Sequence, residues 1–321
     1  MTENILVIHQ GSLGDVILSF PALQSLRREK NASLAVLCKN EVGKVAHKLD
    51  VVDAYFPVES ARFSRLFSKA PGKEMKAFIN HYDIIVVVSF SDGIKDDVSK
   101  NHKGHTCRIN PRPPAEEETH IAADIIEQMK AQGLLRNSVD VADALRSIEV
   151  ETIDQITPAR DNDLFLIHPG AGSRRKRWPL DRFIEVAAAV DSRAVAFLVG
   201  PAEMDLAPVV KKRAKGKFKV HEIHDLFSVI DLMKASRCFI GNDSGLAHLA
   251  GYMGIPLVAI FGPASPTRWH PLGSRTKVVR GGVHCAPCFE TAETNCKNSP
   301  CLNAVSVDMV LEAVQSLGVT L

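Results

Sequence analysis

FIGNDSGLAHLAGYMGIPLVAIF, residues Phe239 to Phe261, reads as strand, turn, helix, turn, strand. Cys238, Phe239 and Ile240 form an apolar run of the kind that ends a buried strand. Gly241 to Gly245 (GNDSG) cannot continue that strand and predict a tight turn. Leu246, Leu249, Ala250 and Met253 recur at helical spacing, Gly254 and Pro256 stop the helix, and Leu257 to Phe261 supply a second buried strand. Asp243 or Ser244 caps the helix, which leaves the amides of Ser244, Gly245 and Leu246 pointing out of the strand ends. A helix start of this kind carries partial positive charge and suits a phosphate. Glycine at 245 lets a ligand approach the backbone closely, and His248 can share the helix face of Ser244. Capped βαβ units also occur without any ligand, so the reading depends on other segments.

Working outward, the chain opens with a strand, Asn4 to Ile8, and the turn His9-Gln10-Gly11-Ser12-Leu13-Gly14-Asp15. Val16, Leu18, Phe20, Leu23 and Leu26 give the following helix an apolar side. This turn is neither a GxGxxG dinucleotide fingerprint nor a Walker A loop. An acid at a helix start is most often a cap. A third segment, Asp163 to His168, reads as a strand leading into Pro169-Gly-Ala-Gly-Ser173 and then Arg174-Arg-Lys-Arg177. Charge runs are usually solvated surface. Here the cations follow a glycine-rich turn containing Gly172 and Ser173, at the carboxyl end of a strand, where open α/β sheets bind ligands. Amides and cations together suit an anion.

In order and spacing, GSLGDVILSFPAL (Gly11 to Leu23), HPGAGSRRKRWP (His168 to Pro179) and GNDSGLAHLAGYMGIPLVAIFGPASP (Gly241 to Pro266) resemble glycosyltransferase family 9, the bacterial ADP-heptose:lipopolysaccharide heptosyltransferases. The resemblance implies two Rossmann-like α/β domains with parallel sheets facing across a cleft, the GT-B type. It implies that Asp15 is the general base on an acceptor hydroxyl and that Lys176 contacts the donor diphosphate. Asp243 then matches an acid near the donor sugar, Ser244 and Gly245 the phosphate-binding helix start, and His248 a neighbouring histidine. The expected partners are a nucleotide-sugar donor and a lipid-anchored oligosaccharide acceptor, met at the inner face of the bacterial inner membrane. Alternatives on the same scaffold are a sugar-nucleotide epimerase or hydrolase, and a sugar-nucleotide-binding protein without catalysis.

A length of 321 residues predicts two domains, with 45% apolar and 24% charged residues suiting a globular protein. The net charge of +2 and the few aromatics give no nucleic-acid signal. No run is long and apolar enough for a membrane span, and MTENILVIHQG reads as a first strand, not a signal peptide, which predicts a cytoplasmic enzyme. The expected domains are 1–155 on the acceptor side and 156–321 on the nucleotide-sugar side, with the last helix, near 307–317, returning to the first domain. Asp161-Asn162-Asp163 is formally a DxD, but it precedes its strand and so lies at the wrong end for a metal-held ligand. No cofactor is expected. Cys285, Cys288, Cys296 and Cys301 leave zinc, a disulfide and free thiols all open, with irregular spacing disfavouring zinc. Arg62, Arg65, Lys69 and Lys73, interleaved with apolar residues, read either as an amphipathic surface helix or as a basic flap for acceptor phosphates.

Overall fold

Eleven strand segments alternate with helices in the computed structural model, which describes residues 2–63, 72–145, 164–190, 195–290, 296 and 298–321. The chain divides into two compact units, Met1–Pro114 with Ile121–Ser147, and Ala115–His120 with Ile148–Leu321. The short segment Ala115–His120 thus joins the second unit, whereas the sequence reading leaves it in the first. The expected boundary at 155/156 and the Asp161–Asp163 motif lie outside the described residues.

The first unit runs β1 (Asn4–His9), α1 (Leu13–Lys30), β2 (Ser33–Cys38), α2 (Asn40–Lys48), β3 (Ala54–Pro57), α3 (Lys73–Ile79), β4 (Ile84–Val88), α4 (Gly93–Ser99), β5 (His105–Ile109) and α5 (Ile121–Ala131). Its sheet has the order β3-β2-β1-β4-β5, all parallel. Ile5 to Ile8 and Ile84 to Val88 are continuous apolar runs because a parallel sheet covered on both faces hides every side chain. Leu6, Ile8, Ile85 and Val87 pack with Phe63, Phe78 and Ile79 on one face. The alternate residues point the other way, as the two-residue strand period requires.

The second unit runs β6 (Leu164–His168), α6 (Leu180–Ala189), β7 (Val195–Val199), α7 (Ala207–Ala214), β8 (Lys219–Glu222), α8 (Leu226–Lys234), β9 (Ser236–Asn242), α9 (Gly245–Tyr252), β10 (Leu257–Phe261), α10 (Pro266–Trp269), β11 (Thr276–Arg280), α11 (Pro300–Asn303) and α12 (Val307–Ser316). Its sheet order is β11-β10-β9-β6-β7-β8, again parallel. Both sheets follow the doubly wound pattern, in which the strand order reverses between the first and fourth strands of each unit. That crevice falls between β1 and β4 in the first unit and between β6 and β9 in the second. The resemblance implies a last helix that returns to the first domain. Helix α12 packs on α6, β10 and β11 of its own unit, with Val310 and Val314 in the second core.

Strand β9 reaches Asn242, so Gly241 and Asn242 belong to the strand and not to the turn. The Asn242 side chain, fully buried, donates from Nδ2 to the carbonyls of Pro169 (2.9 Å) and Gly170 (3.2 Å). Its Oδ1 accepts from the Trp178 amide at 2.9 Å. One amide therefore ties the end of β9 to both ends of the loop after β6. Replacing it by alanine strands three buried backbone groups, each costing about 1–3 kcal/mol when unpaired. Asn242→Ala should lower the unfolding free energy of the protein by about 3 kcal/mol in a denaturant titration; a loss below about 0.5 kcal/mol would show that the clamp is dispensable.

Candidate active site

In the first unit the crevice holds a cavity of about 460 Å³ lined by residues that include His9, Asp15, Ser89, Phe90, Ser91 and Arg112. The turn after β1 folds tightly over His9. A Cβ at Gly11 would lie 2.6 Å from His9 Cε1 and 2.7 Å from Asp15 Cβ, so only glycine fits. The Gly11 amide donates to His9 Nδ1 at 3.0 Å. That contact fixes the tautomer: Nδ1 is the acceptor and the proton sits on Nε2. Burial pushes the His9 pKa down to about 4 against the opposing pull of Asp15, so the ring is neutral near pH 7.

Asp15 occupies the third position of α1 and acts partly as a cap. Its Oδ2 accepts from the Ser12 amide (2.9 Å) and the Ser12 hydroxyl (2.5 Å), while Oδ1 pairs with Arg112 at 3.2 Å. Burial works against ionisation of this carboxyl. The Ser12 hydroxyl, Arg112, the Ser12 amide and His9 together outweigh it and hold the pKa below the ordinary 3.8. Asp15 is thus a carboxylate at neutral pH, with three donors on it. Arg112 lies 5.4 Å from the ring centre of Phe90, which is 67% exposed at the rim.

The basic stretch is placed elsewhere. Arg62 pairs with Glu74 at 3.3 Å and its guanidinium lies 5.3 Å from the Phe78 ring. Lys73 is exposed at the start of α3, and neither residue lines the cavity around Asp15. Arg65 and Lys69 lie outside the described residues. Arg112, which does line it, follows β5 at a position that no sequence motif marks.

In the second unit the loop after β6 and the start of α9 converge. Ser244 is the helix cap, its Oγ accepting from the Ala247 amide at 3.3 Å. The Gly245 and Leu246 amides, at the first two positions of α9, have no helical carbonyl to bond, which leaves them for an anion. Ser173 caps the short turn Arg174–Lys176, and Gly172 is exposed with open space beside its Cα. The four cations then separate by partner. Arg174 and Arg177 share Asp205 (3.0 and 3.4 Å), Arg175 reaches the Cys288 sulfur (3.8 Å), and Lys176 Nζ lies 2.7 Å from Asp243 Oδ2. Phe289 covers the Lys176 ammonium at 4.4 Å. His248 Nε2 is 3.9 Å from the other oxygen of Asp243. Lys176, Asp243, Ser244, Gly245 and His248 are therefore one cluster, and Lys176 is not a solvated surface charge.

Two further features had no sequence signal. Glu203 is buried, accepts from the Gly200 amide at 3.0 Å, and lies 3.7 Å from His168 Nε2, whose Nδ1 is 3.4 Å from Ser244 Oγ. The His120 ring centre lies 4.2 Å from that of His270, the rings tilted by 53°, and burial together with that neighbour pushes its pKa down to about 3. Cys285 and Cys296 are exposed, Cys288 is half-buried and Cys301 is buried. Among the described residues no group of three or more histidine, cysteine or acidic side chains has metal-holding geometry. No helix among them is long and apolar enough to cross a membrane.

Residues 103–298 match the profile of Glycosyltransferase family 9 (heptosyltransferase). The chain is 29% identical over 158 residues to lipopolysaccharide heptosyltransferase 2 of Escherichia coli strain K12, covering 46% of this chain and 44% of that protein. It is 25% identical over 151 residues to lipooligosaccharide heptosyltransferase 2 of Haemophilus ducreyi, covering 43% of each. In both, the chain spans less than half the length of the curated relative. The structure of the E. coli ADP-heptose lps heptosyltransferase II superposes with a TM-score of 0.70 at 20% identity, over 99% of this chain and 98% of that one. The fold is that of these two-domain heptosyltransferases.

Two measurements check the electrostatics. Arg112→Ala removes a cation from Asp15 and should raise its carboxyl pKa, read by carbon-detected NMR titration; an unchanged midpoint would dissociate the pair in solution. Asp243→Asn frees the Lys176 ammonium and should tighten inorganic pyrophosphate, whereas Lys176→Ala should weaken it about tenfold or more, the scale of one charge-assisted contact. Calorimetry showing equal affinity in all three proteins would remove the cluster as an anion site.

Proposed function

Because the chain belongs to glycosyltransferase family 9, the heptosyltransferase family, we propose that it is an inverting glycosyltransferase that moves a heptose from ADP-heptose to a lipopolysaccharide inner-core acceptor. The observation that carries this reading is the 2.7 Å Lys176–Asp243 pair beside the first amides of α9, at the crevice of the second sheet. It supports assignment of the donor diphosphate to the second unit and of the acceptor to the Asp15 cavity of the first. Asp15 takes the proton as the acceptor oxygen attacks the anomeric carbon. The bond from that carbon to the diphosphate oxygen breaks, and ADP leaves with the electron pair. Lys176 and the helix amides receive the growing negative charge, which is where preorganised donors lower a barrier most. Asp243 and His248 lie next to Lys176, where the sugar end of the donor would sit, and Gly172 and Ser173 border the phosphates. Arg62, Arg65, Lys69 and Lys73 are assigned to phosphates of the lipid acceptor, which would bring the enzyme to the inner face of the membrane.

Asp15→Asn should leave ADP affinity unchanged and lower transfer to a truncated lipopolysaccharide by ~10²–10⁴-fold, the usual contribution of a positioned base. Near-normal turnover would take Asp15 out of the mechanism. A panel of ADP-heptose, UDP-glucose, UDP-N-acetylglucosamine and GDP-mannose with product mass analysis tests the donor. Rapid breakdown or epimerisation of ADP-heptose without acceptor would favour a hydrolase or epimerase instead.

A further inference from the structure

The first cavity is lined by a buried polar group that no step above uses. His9 is 1% exposed, and its Nε2 has no hydrogen-bond partner among the described residues. The Gly11 amide on Nδ1 leaves the proton on Nε2, so the lone group is a donor. A buried donor without an acceptor is costly and is normally matched by a ligand or an ordered water. His9 lines the cavity that holds Asp15, and both side chains flank Gly11. At the rim, exposed Phe90 offers a flat apolar face.

We propose that His9 reads the acceptor: its Nε2–H donates to a sugar hydroxyl adjacent to the one that Asp15 deprotonates, while Phe90 carries the apolar face of the same ring. The ligand class is a polyhydroxylated ring with two neighbouring hydroxyls, one for the base and one for the imidazole. A site built around a buried donor rejects a substrate that lacks the matching oxygen, so His9 selects the acceptor as well as holding it. The inference rests on the assignment of the acceptor to the first unit.

Asparagine and glutamine separate the two ring nitrogens. An asparagine carbonyl can still accept from the Gly11 amide but places nothing at Nε2, whereas a glutamine amide reaches the Nε2 position. With ADP-heptose saturating and a truncated, deacylated lipopolysaccharide varied, His9→Asn should raise the acceptor KM about tenfold or more, the scale of one lost hydrogen bond. The donor KM and the thermal midpoint should stay near wild type, and His9→Gln should recover most of the acceptor KM. A wild-type acceptor KM in His9→Asn, or no recovery in a folded His9→Gln, overturns the proposal. A second readout needs no altered fold: in histidine-labelled wild-type protein, adding the truncated lipopolysaccharide should move the Nε2 proton of His9, and adding ADP alone should not. An unmoved resonance at saturating acceptor overturns the proposal as well. Failure of transfer with every donor defeats the transferase reading instead, and the imidazole signal is still read by binding alone.

Discussion

The second unit depends on the Asn242 amide. Parallel strands β6 and β9 are hydrogen-bonded neighbours, but beyond their carboxyl ends the backbone leaves the sheet and loses its ladder. Two loops leave there, one toward the cations and one into α9. Buried polar backbone must find partners, and Asn242 satisfies Pro169, Gly170 and Trp178 at once. Trp178 is in turn pinned by its own indole to the Val305 carbonyl at 3.1 Å and packs edge-on against Phe183. Lys176, two residues before that anchor, is thereby held where it meets Asp243, the residue after the clamp. The cluster is a consequence of side-chain hydrogen bonding from the end of β9 to the loop after β6.

The central strands were legible in the sequence for one physical reason: burial on both faces leaves unbroken apolar runs, as in ILVI of β1 and LVAI of β10. Three edge strands, β3, β8 and β11, were not. β3, β8 and β11 each border only one neighbour, and β8 and β11 carry Lys219, Glu222, Lys277 and Arg280, so neither looks like a buried run. Charged side chains on edges also discourage pairing with other chains. The same logic governs the site. Asp15, Lys176 and Asp243 sit in or just after turns whose glycines mark them. Arg112, Glu203 and His120 come from loops with no local pattern, and only the tertiary fold brings them to their partners. Asn242 looked like a turn residue because asparagine beside glycine usually is one.

Pairing Lys176 with Asp243 has an electrostatic cost for an anion site, since a neutralised ammonium attracts phosphate less. Two features offset it. The aromatic faces of Phe289 and Trp269, 4.4 and 5.8 Å from Nζ, keep the ammonium out of bulk water. The Gly245 and Leu246 amides at the start of α9 add positive potential. On the proposed reading the acid also acts on the sugar. Beside the anomeric carbon, a negative charge favours the positive character that this carbon develops as the diphosphate departs. A bare cationic loop would hold the product ADP more tightly and give nothing to the sugar. Pairing the lysine with an acid trades ground-state affinity for stabilisation during transfer, the kind of differential binding that raises turnover.

The depressed basicity of Asp15 bears on water. A general base works best with a pKa near the operating pH, yet the resting carboxylate carries donors from Ser12 and Arg112 that make it a poor proton acceptor. On the proposed reading this disfavours hydrolysis of the donor, because a water molecule beside Asp15 meets a weak base. On the proposed reading, an acceptor hydroxyl competes with Ser12 and Arg112 for the carboxylate oxygens. His9, with its pKa pushed down to about 4 by burial, is neutral near pH 7 and adds no second positive charge beside Asp15. On the proposed reading, preference for the acceptor hydroxyl over water therefore rests on the groups that position the acceptor in the cavity more than on the strength of the base.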